Sequence, residues 1–175
     1  KMQEKQFKAS EKKQYEAYIF GYHRMGWKHC EALRVRGVDF VVIDFNPHAI
    51  EKLRRQGIPC YFGDISDIEF LSELPLHKAQ MIVSTIPNAE DQLVLIHHVR
   101  SRSQKTLIIA NLSHQDYLDE LYRAGANFVL MPHFLGGNWM SDILQKKSWT
   151  KRTFSSLQKE QKSEIEMRVI AETLK

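Results

Sequence analysis

The sequence predicts an α/β fold: a Rossmann-like, doubly wound six-stranded parallel sheet with extra C-terminal helices. Three observations carry that expectation. Six short runs rich in Val, Ile and Phe alternate with stretches of helical period, the pattern of successive βαβ units. Most helical stretches open on a capping residue, and several close on a glycine. Between the first run and the first helix lies Gly21-Tyr22-His23-Arg24-Met25-Gly26, and the second run ends in Asp44.

Taken in order, the first strand is expected over Ala17–Tyr22. The first helix runs from about Arg24 to Arg36, with Cys30, Leu33 and Val35 on a modest apolar face and Gly37 closing it. Phe40-Val41-Val42-Ile43 is an unbroken apolar run, as a parallel strand covered on both faces requires. Asn46 then caps a helix, Pro47 takes its first position, Ile50 and Leu53 face inward, and Gly57 ends it. The third strand is Ile58–Phe62. Ser66-Asp67-Ile68-Glu69 reads as a capping box opening a helix with Ile68, Leu71 and Leu74 inward. Met81–Thr85 is the fourth strand, and Pro87-Asn88 starts a helix that buries Leu93, Leu95, Ile96 and Val99. Thr106–Ala110 is the fifth strand; Ser113 with Asp116 caps a helix that stops at Gly125, and Asn127–Met131 is the sixth strand.

This layout sets up an anion site. Gly21 permits a tight turn after the first strand, and Gly26 lets the following helix approach the sheet closely. The helix N-terminus directs a partial positive charge at a phosphate. Asp44 lies where an acid, about 20 residues beyond the glycine turn, accepts hydrogen bonds from ribose hydroxyls. His23 replaces the middle glycine of G-x-G-x-x-G. A side chain there either obstructs a pyrophosphate or, with Arg24, contacts phosphate itself, which suits a mononucleotide.

Composition narrows the class. Of 175 residues, 43% are hydrophobic and 26% charged, ordinary for a globular domain with a sizeable core. No unbroken apolar run reaches the roughly 18 residues of a membrane span, and no signal peptide is visible. The chain starts at Lys1, and an excised fragment of a longer protein is expected. Its net charge of +4 gathers at the two ends, where basic linkers are expected. No aromatic platform or zinc-knuckle spacing accompanies the basic runs, so nucleic acid is not an expected partner. Cys30 and Cys60 form no disulfide framework and no metal-ligand spacing. Beyond the sheet, one helix carries Trp139, Met140, Ile143 and Leu144 on its apolar side. A last one over residues 155–175 has Ile165, Val169 and Ile170 at helical spacing.

These residues resemble a family: the RCK N-terminal (TrkA-N, or KTN) regulatory domains of potassium channels and cation/proton antiporters, the Kef-type branch especially. The resemblance spans roughly residues 16–145. It rests on Gly21 through Gly26, Val42-Ile43-Asp44-Phe45-Asn46-Pro47, Phe62-Gly63-Asp64, Ile82–Pro87 and Ala124-Gly125-Ala126. The resemblance implies a cytosolic domain hung beneath the transmembrane transport domain of an inner-membrane protein. It implies a homodimer formed through helices after the sheet, and AMP or NAD(H) as ligand. It divides the chain into a basic linker (1–15), the nucleotide-binding domain (16–132) and C-terminal helices for dimer contact (133–175). It places Gly21, Tyr22, His23, Arg24, Met25 and Gly26 around phosphate, Asp44 on the adenosine ribose and Phe45 beside it. Asp64 and Ile65 line the adenine, and Thr85, Ile86 and Asn88 close the opposite side. His23 is a departure from the family pattern, and the smaller second RCK subdomain is expected to be absent, as it is from Kef-type proteins.

Two other classes compete. A nicotinamide oxidoreductase uses the same βαβ halves, but there is no Tyr-x-x-x-Lys pair and no substrate domain here. A nucleotide-free scaffold serving only for dimerisation is the other alternative, and it would be indifferent to the loss of Asp44. No enzyme activity is expected.

Overall fold

A computed structural model describes residues 12–173. Most of the expected basic linker lies outside the described residues. Its end is anchored: the Lys12 ammonium sits 4.6 Å from the Tyr61 ring centroid and 3.3 Å from Glu73, and Lys13 pairs with Asp39 at 3.0 Å.

The expected sheet is present. Strands β1 (Ala17–Phe20), β2 (Phe40–Asp44), β3 (Cys60–Phe62), β4 (Met81–Ser84), β5 (Leu107–Asn111) and β6 (Phe128–Leu130) lie in the order β3-β2-β1-β4-β5-β6. Every neighbouring pair is parallel, with Phe20 opposite Ile43 on one side and Ser84 on the other. The order reverses between β1 and β4, and that switch point opens a crevice at the strands' carboxyl ends.

Helices α1 (Gly26–Arg36) and α2 (Pro47–Arg55) cover one face; α3 (Ile68–Ser72), α4 (Ala89–Arg100) and α5 (Leu118–Ala124) cover the other. Period-2 alternation in β1 serves both layers. Ala17 and Ile19 pack with Cys30, Ile50 and Leu53, whereas Tyr18 and Phe20 pack with Leu71, Leu95 and Ile96. The Asn46 cap is made as expected, its side chain accepting from the His48 amide at 2.9 Å. Asn88 caps α4 through the Asp91 amide at 3.0 Å.

Several details differ from the sequence reading. Asp67, not Ser66, caps α3, because Asp67 Oδ1 accepts from the Phe70 amide at 3.2 Å while the Ser66 hydroxyl is drawn back to Asp64. Ile68 is consequently turned to solvent. Ser113 caps nothing; a 3-10 turn over Gln115–Tyr117 precedes α5. Val35 is 87% exposed, so α1 buries little beyond Gly26 and Cys30.

Two further helices follow the sheet, α6 (Pro132–Lys146) and α7 (Lys151–Thr173). Ile143 alone of α6 is buried; Phe134, Leu135, Trp139, Met140 and Leu144 are exposed. Among the described residues, no helix is long and apolar enough to cross a membrane.

Candidate functional site

The crevice at the switch point holds a cavity of about 370 Å³, within the range of small-molecule sites. The turn between β1 and α1 forms one wall. Gly21 has φ 94°, and a Cβ there would meet the Thr85 hydroxyl; a Cβ on Gly26 would collide with the Gly21 carbonyl. Gly26 is therefore demanded by close backbone approach, and Gly21 by its left-handed φ against the Thr85 side chain. Arg24 also takes a left-handed conformation, φ 64°. No side chain caps the N-terminus of α1 at Met25, so its dipole acts on the cavity mouth unscreened by a cap.

Asp44 ends β2 and is 7% exposed. Its Oδ2 accepts from the Tyr22 amide at 2.9 Å and its Oδ1 from the Asn46 amide at 2.8 Å. The carboxylate thus ties the glycine turn to β2 and keeps further acceptor capacity on each oxygen. Opposite, the Thr85 hydroxyl donates to the Gly21 carbonyl at 3.0 Å or the Phe20 carbonyl at 3.2 Å. Thr85 is itself held from below. Asn111 Nδ2 donates to the Thr85 carbonyl at 3.3 Å, and the Gln92 amide grips the Asn111 backbone at 2.6 and 2.8 Å.

Of the expected ligand residues, Gly21, His23, Arg24, Asp44, Phe45, Ile65, Thr85 and Ile86 line this cavity. Tyr22, Met25, Gly26, Asp64 and Asn88 stand behind or beside it. The Tyr22 ring points into the core under α1, Met25 and Gly26 begin α1, Asp64 accepts from Ser66 N and Oγ, and Asn88 caps α4. The lining also includes Phe20, Ile43, Asn46, Pro47, Gly63 and Pro87, which were not among the expected ligand residues. Asn46 and Pro47 entered the sequence reading as a helix start and as part of the family motif. His23 reaches over the mouth, its Nε2 3.4 Å from Asn46 Nδ2, and therefore acts as acceptor there.

The ionisable residues of the cavity lining are His23, Arg24 and Asp44. Nearby, burial together with Asp64 and Glu90 pushes the Asp91 carboxyl up from its ordinary value. Among the described residues, no His, Cys, Asp or Glu group has the makings of a metal site.

A parallel sheet in this order, a glycine turn against its first helix and a carboxylate closing the second strand define a Rossmann-type domain with its crevice at the switch point. The chain belongs to the TrkA-N domain family, whose model matches residues 17–132. It is 28% identical over 129 residues to probable potassium channel protein 2 of Methanocaldococcus jannaschii, covering 71% of this chain and 37% of that one. It is 31% identical over 114 residues to the glutathione-regulated potassium-efflux system protein KefC of Salmonella paratyphi B, covering 65% and 18%. The chain thus spans well under half the length of these relatives.

Among solved structures, the TrkA-N domain of the inner membrane protein ybaL from Escherichia coli superposes with a TM-score of 0.68 at 25% identity, over 75% of this chain and 98% of that one. The GsuK channel bound to NAD gives 0.61 at 28% identity, over 70% and 22%.

Proposed function

We propose that this chain is a cytosolic nucleotide-binding regulatory domain, of the RCK/TrkA-N kind, that gates a potassium or cation/proton transport protein and binds AMP or NAD(H). The observation that carries the proposal is Asp44. A buried carboxylate, hydrogen-bonded to the amide of the glycine turn, lines an open cavity beside that turn. The cavity offers a place for a ribose at Asp44 and for a phosphate between the turn and the α1 N-terminus. Apolar Ile65, Ile86 and Phe45 flank a base. The NAD-bound channel relative supports the ligand class.

The partner that receives the signal is the transmembrane transport domain of the parent protein, on the cytoplasmic side of the inner membrane. A homodimer forms through the exposed apolar residues of α6. The nucleotide acts by favouring one dimer geometry over another, by no more than its differential affinity for the two.

A thermal-shift panel of AMP, ADP, ATP, NAD and NADH tests the ligand class. At about 100 times its Kd, a ligand stabilises by about 2.7 kcal/mol, which raises Tm by roughly 5–10 °C for a chain this size. A flat response to all five removes the nucleotide from the account and leaves a dimerisation scaffold.

A further inference from the structure

The sequence marks Ile165, Val169 and Ile170 as the apolar side of the last helix, yet polar residues attach it to the domain. Glu164, Arg168 and Glu172 recur every four residues and so share one stripe of α7. Each meets α1 or α2. Glu164 pairs with Lys28 at 3.2 Å, and the Arg168 guanidinium lies 4.9 Å from the Trp27 ring centroid. Glu172 binds Arg168 at 2.9 Å and Lys52 at 3.4 Å. Ile165 and Met167 remain more than half exposed. A cavity of about 420 Å³ persists between α7 and α1, with Tyr22, Trp27, Cys30 and Ile58 in its wall. Protein interiors are close-packed, so a helix left standing over such a gap is held at points, by these charged contacts with Met167 in the cavity wall beside them.

Tyr22 belongs to both places. Its amide donates to Asp44 Oδ2 at 2.9 Å, inside the nucleotide crevice. Its ring, 3% exposed, forms part of the wall under α7, and its hydroxyl accepts from Gln56 Nε2 at 3.3 Å. One residue thus carries both the amide that fixes the carboxylate and a ring in the wall beneath α7.

We propose that α7 is a charge-held strap whose seating on α1 and α2 is linked, through Tyr22, to occupancy of the crevice at Asp44. The linkage rests on the nucleotide reading above; the seating does not. A seated strap holds Tyr22, and with it Asp44, in the binding geometry. Release of the strap weakens the nucleotide, and by reciprocity the nucleotide favours the seated strap to the same extent.

The test uses the full chain with 5-fluorotryptophan and ¹⁹F NMR, the Trp27 signal being assigned by Trp27→Phe. Without nucleotide, Glu164→Lys shifts the Trp27 resonance as Arg168 leaves the ring; because the Lys28 ammonium itself lies 5.0 Å from that ring's centroid, the added Lys28→Glu change is read by affinity and not by this signal. Exposed pairs are screened by salt, so NaCl moves the wild-type signal in the same direction. Calorimetry then gives the Kd of AMP and of NADH. Glu164→Lys raises the Kd of whichever binds by about three- to tenfold, and the double variant returns it. A Trp27 signal indifferent to charge reversal and salt overturns the strap. A shifted signal with unchanged Kd overturns the linkage. If neither nucleotide binds the wild-type chain, the nucleotide reading fails and the linkage with it, while the Trp27 response still reports the seating separately.

Discussion

Replacing Asp44 by Ala removes two things that separate experiments resolve. The first is structural: the Tyr22 and Asn46 amides lose their acceptor, at 2.9 and 2.8 Å. Hydrogen bonds to a charged group contribute about 1.5–3 kcal/mol each. Because water can enter the open cavity and replace part of that, the expected loss of unfolding free energy is about 2–4 kcal/mol for the pair. The second is functional: a ligand ribose loses the carboxylate that accepts its hydroxyls, a cost of about 1.5–3 kcal/mol, or roughly ten- to a hundred-fold in Kd. Urea unfolding reads the first and calorimetry with AMP the second. Asp44→Asn is the control. It keeps one carbonyl oxygen as acceptor, so it recovers part of the stability but orients the ribose poorly. A folded Asp44→Ala chain with the wild-type affinity for AMP would remove the residue from the site and the ribose assignment with it.

Further outcomes are expected at other positions. His23→Gly clears the mouth that His23 now shares with Asn46 at 3.4 Å. Calorimetry should show NAD gaining on AMP if the ring obstructs a pyrophosphate, and AMP weakening if the ring contacts phosphate. Gly26→Ala drives a methyl into the Gly21 carbonyl, costing about 1–3 kcal/mol of stability in urea melts and displacing the turn; a variant as stable as wild type contradicts that packing. Trp139→Asp on α6 should shift sedimentation from dimer to monomer, and an unchanged mass excludes α6 from the interface.

The strap has its own acid dependence. Burial pushes Glu172 up, but Arg168 and Lys52 outweigh it and hold the carboxyl below the usual range. A depressed folded pKa stabilises above the unfolded value of about 4.3 and loses that stabilisation as pH falls through the folded one. The Trp27 signal should therefore hold steady from neutrality to about pH 5 and change below about pH 4. A change centred near pH 6–7 points to a histidine instead.

How much of this the sequence disclosed follows from where its signals are local. Asn46-Pro47 and Asn88 announced their helices because a cap is a contact between near neighbours. The buried strands announced themselves because both sheet faces are covered. Ser66 and Ser113 misled because several short polar residues compete for each cap, and the winner depends on the path of the loop. Val35 and Ile68 misled because helical period does not say which face meets the sheet when the helix is short or polar. In the crevice, Gly21 and Asp44 were legible as a motif. Ile43, Gly63 and Pro87 stood within the family stretches, yet two apolar residues and a glycine have no chemistry that marks them as lining. The seating of α7 was invisible for a related reason. Hydrophobic period points at Ile165, Val169 and Ile170, while the stripe that meets α1 and α2 is charged.

The most direct measurement of the central claim is a calorimetric titration of the wild-type chain with AMP and with NADH. Saturable binding of one nucleotide to one site per chain, with NADH left unconsumed, is the result the account predicts. A titration with neither binding would contradict it, and so would steady oxidation of NADH by the chain.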